Sequence, residues 1–191
     1  MRQKKGWVGH VWTWVAMDAD TKLVPSFLIG ARDAGYATEF LQDLASRLES
    51  RVQLTSDGHK VYFDAVEDAF GSEIDYAMLV KIYGSEPEKR YSPAKCLGAN
   101  PVRVSGNPDP DHISTSHVER KNLTMRRRMR RFTRLTNAFS KKIDNLRHAV
   151  SLHFMYYNFC RVHKTLRLTP AMEAGIADHV WSVEDIVGLI E

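Results

Sequence analysis

Cysteine is almost missing from this sequence. Cys96 and Cys160 are the only two, far apart and outside any C-x-x-C pair. A disulfide framework and a zinc ribbon are thereby excluded, and a reducing cytoplasm is the simplest home. Long apolar runs are lacking too. The opening MRQKKGWVGHVWTWVAM has a basic start and an apolar continuation, but His10, Trp12 and Trp14 interrupt it and no A-x-A cleavage signal follows. No other segment reaches the ~18 apolar residues that a membrane span needs. There is no internal repeat and no low-complexity tract. The sequence has no H-E-x-x-H, no G-x-S-x-G and no P-loop, so the chemistries those motifs build are not indicated. His117 and Glu119 form an H-x-E without the P-C-x-x-C that a zinc deaminase needs beside it.

The most informative shortage is of acids in one region. The formal net charge of +4 hides an asymmetry: residues 120 to 170 hold 14 of the 27 Lys and Arg and a single acid, Asp144. Half of the positive charge in about a quarter of the chain points to a polyanionic partner. With 191 residues, one substantial core is the expectation, giving a single domain over 1–191.

Hydrophobic patterning gives the order of elements. Val8 to Met17 and Leu23 to Gly30 are strand-like and flank the polar DADTK, a hairpin whose second arm carries Pro25 and so belongs at an edge. Thr38 can cap a helix that places Phe40, Leu41, Leu44, Ala45 and Leu48 on one face. Arg51 to Ser56 reads as a buried strand ending at Asp57-Gly58. A helix over His59 to Phe70 and a strand over Tyr76 to Tyr83 follow. This alternation implies an α/β sheet with a parallel crossover. Residues 84–116 hold five of the seven prolines and three glycines and read as a long insertion loop. Val118, Met125, Met129, Phe132 and Leu135 then recur at helical spacing. Residues 139–191 form a C-terminal helical segment, with a helix over 143 to 160 ending in FMYYNF and another starting at Thr169-Pro170.

Asp57 stands at the carboxyl end of a strand, where parallel sheets place ligand and metal sites, though taken alone an Asp-Gly turn is the simpler account of it. Glu119 heads the run SHVERKNLTMRRRMRRF, where an acid in a first helical turn is favoured by the dipole. On a helix Asn122 and Arg126 share its face, presenting a carboxylate, an amide and a guanidinium together. Carboxylate oxygens suit hard divalent cations, which phosphoryl transfer uses. Arg120, Lys121, Arg126, Arg127, Arg128, Arg130, Arg131 and Arg134 form a basic face with no acid from Arg120 through Ile143, which favours nucleic-acid contact over plain solvation. His153 and His163 read as helix-packing or phosphate-contacting residues rather than metal ligands.

The stretches TSDGHKVY, SHVERKNLTMRRRMRRFTRLTNAFSKK and YYNFCRVHKTLRLTPAMEAGI resemble the catalytic region of DDE transposases of bacterial insertion sequences, over nearly the whole chain. The resemblance implies an RNase H-like, integrase-type mixed sheet with flanking helices, two Mg²⁺ or Mn²⁺ ions, and cleavage and joining of DNA at element ends. It makes Asp57 and Glu119 the second and third catalytic acids and metal ligands, and Lys121, Asn122, Arg126, Arg127, Arg130 and Arg134 the DNA-binding set. It also implies an oligomer of the chain on DNA, in a bacterial cytoplasm close to the nucleoid. The family's first acid lies in a strand ahead of the hairpin. WTWVAMDADTKLVPSFLIG resembles the hairpin itself, with Asp18 and Asp20 at its turn. The expectation is therefore a domain truncated at its amino end, lacking the first central strand and unable to cleave or join DNA alone. Its rivals are a non-catalytic DNA-binding remnant or inhibitor of a full-length transposase, and a metal-dependent nuclease of the same fold.

Overall fold

Trp12–Val15 (β1) and Phe27–Gly30 (β2) are runs of aromatic and branched residues that suit a pleated surface, and they pair antiparallel with Trp14 opposite Leu28. This computed structural model describes residues 11–84, 94–132, 137–138 and 140–190. Between the strands, the Asp18 carboxylate accepts from the Asp20 N–H at 3.0 Å and from the Thr21 hydroxyl at 2.6 Å. Asp18 is thus the residue that closes the turn.

Asp33 caps the first helix, Ala34–Ala45 (α1), and its carboxylate accepts from Tyr36 N at 3.1 Å. The cap lies a turn ahead of Thr38, the position that the apolar pattern suggested. Ala37 extends the buried face formed by Phe40, Leu41 and Leu44 toward the amino end, so the helix is worth starting earlier. Val52–Asp57 (β3), Val61–Phe70 (α2) and Ile74–Tyr83 (β4) then form a β-α-β unit in which β3 and β4 are parallel. β3 is half-buried for most of its length rather than buried, since it pairs on one side only among the described residues.

The stretch expected to be an insertion loop holds a further strand. Cys96–Ser105 (β5) pairs antiparallel with β4, giving the order β3-β4-β5. Gly98 and Pro101 lie inside β5 and disguised it. An edge strand tolerates proline because one row of its N–H groups pairs with nothing in the sheet. Residues 85–93 of that stretch lie outside the described residues.

Ser116–Arg128 (α3) stops well before Leu135, although the apolar spacing suggested a helix that far. Beyond it Arg130–Phe132 tightens into a 3₁₀ turn, with Phe132 N bonded to Met129 O at 2.9 Å. Arginines at 126, 127, 130 and 131 would stand four apart on a continued helix, and like charges at that spacing oppose it. Leu135 lies outside the described residues. Ile143–Met155 (α4) ends in a π-helical turn, Tyr156–Cys160, instead of continuing regularly to residue 160. Pro170–Glu173 (α5) is capped by Thr169, and Val183–Val187 (α6) opens on a Ser182/Asp185 capping box.

The molecule is mixed α/β, with a three-stranded mixed sheet, a two-stranded hairpin and flanking helices. It divides into two units, each with its own core. In one, residues 33–116, the buried apolar side chains are Ala37, Phe40, Leu41 and Leu44 of α1, Ala65 and Val66 of α2, and Ile74 to Met78 of β4 apart from Asp75. In the other, the hairpin and the chain from His117 onward, Val24, Ile29, Met125, Val150, Phe154 and Tyr157 form one cluster. No helix among the described residues is long and apolar enough to cross a membrane.

The sheet unit is pinned by Asp75. Its carboxylate receives Arg51 Nε at 3.0 Å and Nη2 at 2.8 Å, and the Asn107 N–H at 2.6 Å. The Arg51 bond and then the Asn107 N–H pull its pKa down to about 2. Gly106, with φ of 64°, lies against this group, and a Cβ there would clash with Asp75 Oδ1 and stand 2.7 Å from Ile74 O. Gly106→Ala should therefore cost roughly 1–3 kcal/mol in denaturant unfolding, from left-handed strain plus the clash.

A carboxylate with a depressed folded-state pKa contributes stability that is fully present above its unfolded value and lost as pH falls through the folded one. Acid unfolding followed by far-UV circular dichroism should accordingly show stability declining between about pH 4 and about pH 2. Asp75→Asn should flatten that decline.

Candidate nucleic-acid interface

α3 begins with Glu119 in its first turn and ends on three arginines, an order that complements the helix dipole at both ends. Glu119 is exposed, as are Arg120, Arg126, Arg127, Arg128, Arg130 and Arg131. Arg131 donates to the Ser140 hydroxyl at 2.7 Å. Arg130 and Arg131, with Met129 and Ala138, line a shallow open cavity of about 390 Å³. Arg134 lies outside the described residues. Asn122 is half-buried one turn after Glu119, and its Oδ1 is buried without a hydrogen-bond partner among the described residues.

Lys121 departs from the surface role that the basic run suggested for it. It is only 4% exposed, on the same stripe as Met125, and its amine lies 2.8 Å from the centroid of the Tyr157 ring and 5.2 Å from that of Phe154. The reason is helical register: a residue four before Met125 must face the core whatever its charge. Burial, followed by the charges of Arg161 and Arg128, pushes the Lys121 pKa down to about 6. His153 on α4 packs edge-on to Phe154, with ring centroids 5.3 Å apart. Burial first, and then Lys121, Arg128 and Arg161, push its pKa down to about 4. Neither Lys121 Nζ nor His153 Nε2 has a hydrogen-bond partner among the described residues.

Asp57 sits at the exposed end of β3. Its Oδ1 accepts from the His59 N–H at 3.1 Å, the local turn that an Asp-Gly pair favours. The strand end is fixed by Ser56, whose hydroxyl donates to Asp57 O at 2.9 Å and meets the buried Tyr76 hydroxyl at 2.7 Å. Asp57 and Glu119 belong to different units, and each offers the hard oxygen donors that Mg²⁺ or Mn²⁺ prefers. Among the described residues, no three His, Cys, Asp or Glu side chains gather into a group that could hold an ion. The donor type fits a divalent cation; the number of donors brought together does not.

Sequence reasoning did not single out Tyr157, Asn158 or Arg161. The run FMYYNFCR carried a signal, an aromatic-rich helix end, but not the π-turn that organises it. Asn158 is 8% exposed and clamps the hairpin: Val24 N donates to its Oδ1 at 3.1 Å, and its Nδ2 donates to Val24 O at 2.9 Å. Tyr157 adds a bond from its hydroxyl to Lys22 O at 3.1 Å. Asn158→Ala leaves a backbone donor and acceptor buried and unpaired. It should cost about 2–5 kcal/mol in chemical denaturation, well beyond what the lost side-chain volume explains.

Compared with known proteins, the chain matches no family model, no curated protein and no solved structure.

Proposed function

We propose that this chain acts on DNA as part of a DDE-type transposase, with an RNase H-like arrangement of its strands and helices. The observation that carries the reading is the charge on α3 and the turn after it. Arg120, Arg126, Arg127, Arg128, Arg130 and Arg131 are all exposed, and no acid occurs in the sequence from Arg120 through Ile143. Such a surface attracts phosphates by releasing their condensed counterions, and it needs no base contacts to do so. Lys121 takes no direct part in that exposed surface, and Asn122 reaches it only in part.

In this reading Asp57 and Glu119 are two of the carboxylates of the reaction. Each stands exposed at the end of a regular element, one closing a strand and the other opening the helix that carries the arginines. Mg²⁺ or Mn²⁺ is the cofactor the reading calls for, with Asp57 and Glu119 as candidate oxygen donors. DNA is the partner, with copies of the chain assembling on it in a bacterial cytoplasm.

The test has two arms. Duplex binding measured against salt should give a steep fall in log affinity with log salt, about −0.9 for each phosphate neutralised. Arg126→Ala and Arg130→Ala should each weaken binding severalfold, and Glu119→Gln should not. A flat salt response would remove the DNA reading. In calorimetry, Asp57→Asn and Glu119→Gln should each reduce Mn²⁺ affinity, and equal affinity in the wild type and both variants would exclude their role as ligands. Metal-dependent joining of DNA ends separates a transposase from a DNA-binding protein without catalysis.

A further inference from the structure

We propose that Lys121, His153, Arg128 and Arg161 frame a site for a single phosphate group, and that its occupant is a backbone phosphate of bound DNA. The first observation is the buried amine. Lys121 is 4% exposed, and its Nζ makes no hydrogen bond among the described residues. The Tyr157 and Phe154 rings, 2.8 and 5.2 Å away, offer it a face of partial negative charge. A ring face does not replace the acceptors that three N–H donors lose on leaving water. The second observation is His153. Its Nε2 is also buried without a hydrogen-bond partner among the described residues, and its ring packs on the same Phe154 that borders the amine.

Charge selects the ligand. Lys121 and His153 each lie within electrostatic reach of both Arg128 and Arg161, and among the described residues no carboxylate is among the groups acting on either. Arg128 stands seven residues after Lys121 on α3, two turns along the same side. Arg161 follows the π-turn that carries Tyr157. A metal cation would be repelled by such a set. A tetrahedral oxyanion could accept from the ammonium, from an imidazole N–H and from two guanidinium groups at once, in charge-assisted bonds. Burying a cation without a counter-charge is costly, and an anion bound beside it removes that cost. Arg128 is exposed and Arg161 half-buried, so two of the four groups reach solvent, while Lys121 Nζ and His153 Nε2 lie buried. The choice of DNA as the source of the phosphate rests on the function proposed above, whereas the phosphate chemistry does not.

The experiment is thermal unfolding of the full chain titrated with inorganic phosphate at constant ionic strength, in parallel with anisotropy of a short labelled duplex. Phosphate should raise the melting temperature of the wild type saturably, as any ligand specific to the folded state does. Lys121→Met, which keeps the stem length beside the rings, and Arg161→Gln, at a half-buried position, should each raise the phosphate midpoint at least tenfold. Arg47→Gln, a residue paired with Asp43 beyond the end of α1, should respond like the wild type. No saturable response in the wild type, or an unchanged midpoint in Lys121→Met and Arg161→Gln, would overturn the site. In the duplex arm, the same two variants should weaken binding and reduce the salt slope by about 0.9, one phosphate's worth. A lost phosphate response with unchanged duplex affinity would assign the site to a free phosphate and overturn DNA as its occupant. An intact phosphate response in a wild type that binds no duplex would sink the DNA reading and leave the site standing.

Discussion

Two hydrogen bonds from one amide hold the helical unit together. Val24 precedes β2, outside the hairpin ladder, so its backbone N–H and C=O have no strand partner, yet the residue is buried. Buried backbone groups must be paired, and Asn158 is the side chain type that can both donate and accept across a single residue. That pairing joins positions 134 apart in sequence. It fixes the hairpin loop against the end of α4, and with it the Tyr157 hydroxyl on Lys22 O and the Tyr157 ring under the Lys121 amine. The π-turn is what lets the helix end here: Arg161 N reaches back to Tyr156 O at 3.0 Å, and the chain leaves with Phe154, Tyr157 and Asn158 all facing inward.

The elements whose signal is local were legible in the sequence. DADTK between two aromatic and branched runs gave the hairpin, and Asp18 closes it as a turn residue does. The alternation from Arg51 to Tyr83 gave the β-α-β unit, because buried helices and strands of ordinary length declare their own periods. β5 was not legible. Its pairing is with β4, its first eight residues are exposed, and so its pattern has no buried half to reveal it. Strand identity there comes from hydrogen bonds to a neighbour, which composition does not encode, and the Pro and Gly content argued the other way.

The site was legible to a different degree at each residue. Glu119 and the arginines from 126 to 131 were readable as a charged helix side, because exposure of arginine is the default. Asp57 was placed correctly at a strand end, with the Asx turn to His59 that an Asp-Gly sequence favours. His153 was readable as a helix-packing residue, and it packs on Phe154. Tyr157 and Asn158 were hidden, because their roles depend on which distant segment packs on the end of α4.

Lys121 shows how one helix reconciles two demands. α3 has to bury Met125 and present arginines, and at 3.6 residues per turn the position four before Met125 falls on the buried side. An arginine there would bring a wider, always-charged guanidinium into the cluster of Phe154 and Tyr157. A lysine brings a thin alkyl stem and a compact ammonium that can rest on a ring face, and its charge yields more readily to burial. The same register puts Asn122 at the boundary and Arg126 outside. A single turn of α3 thus passes from core to exposed surface, and Lys121, the base on its inner side, is the point at which the positive charge of the surface reaches into the packed aromatic interior.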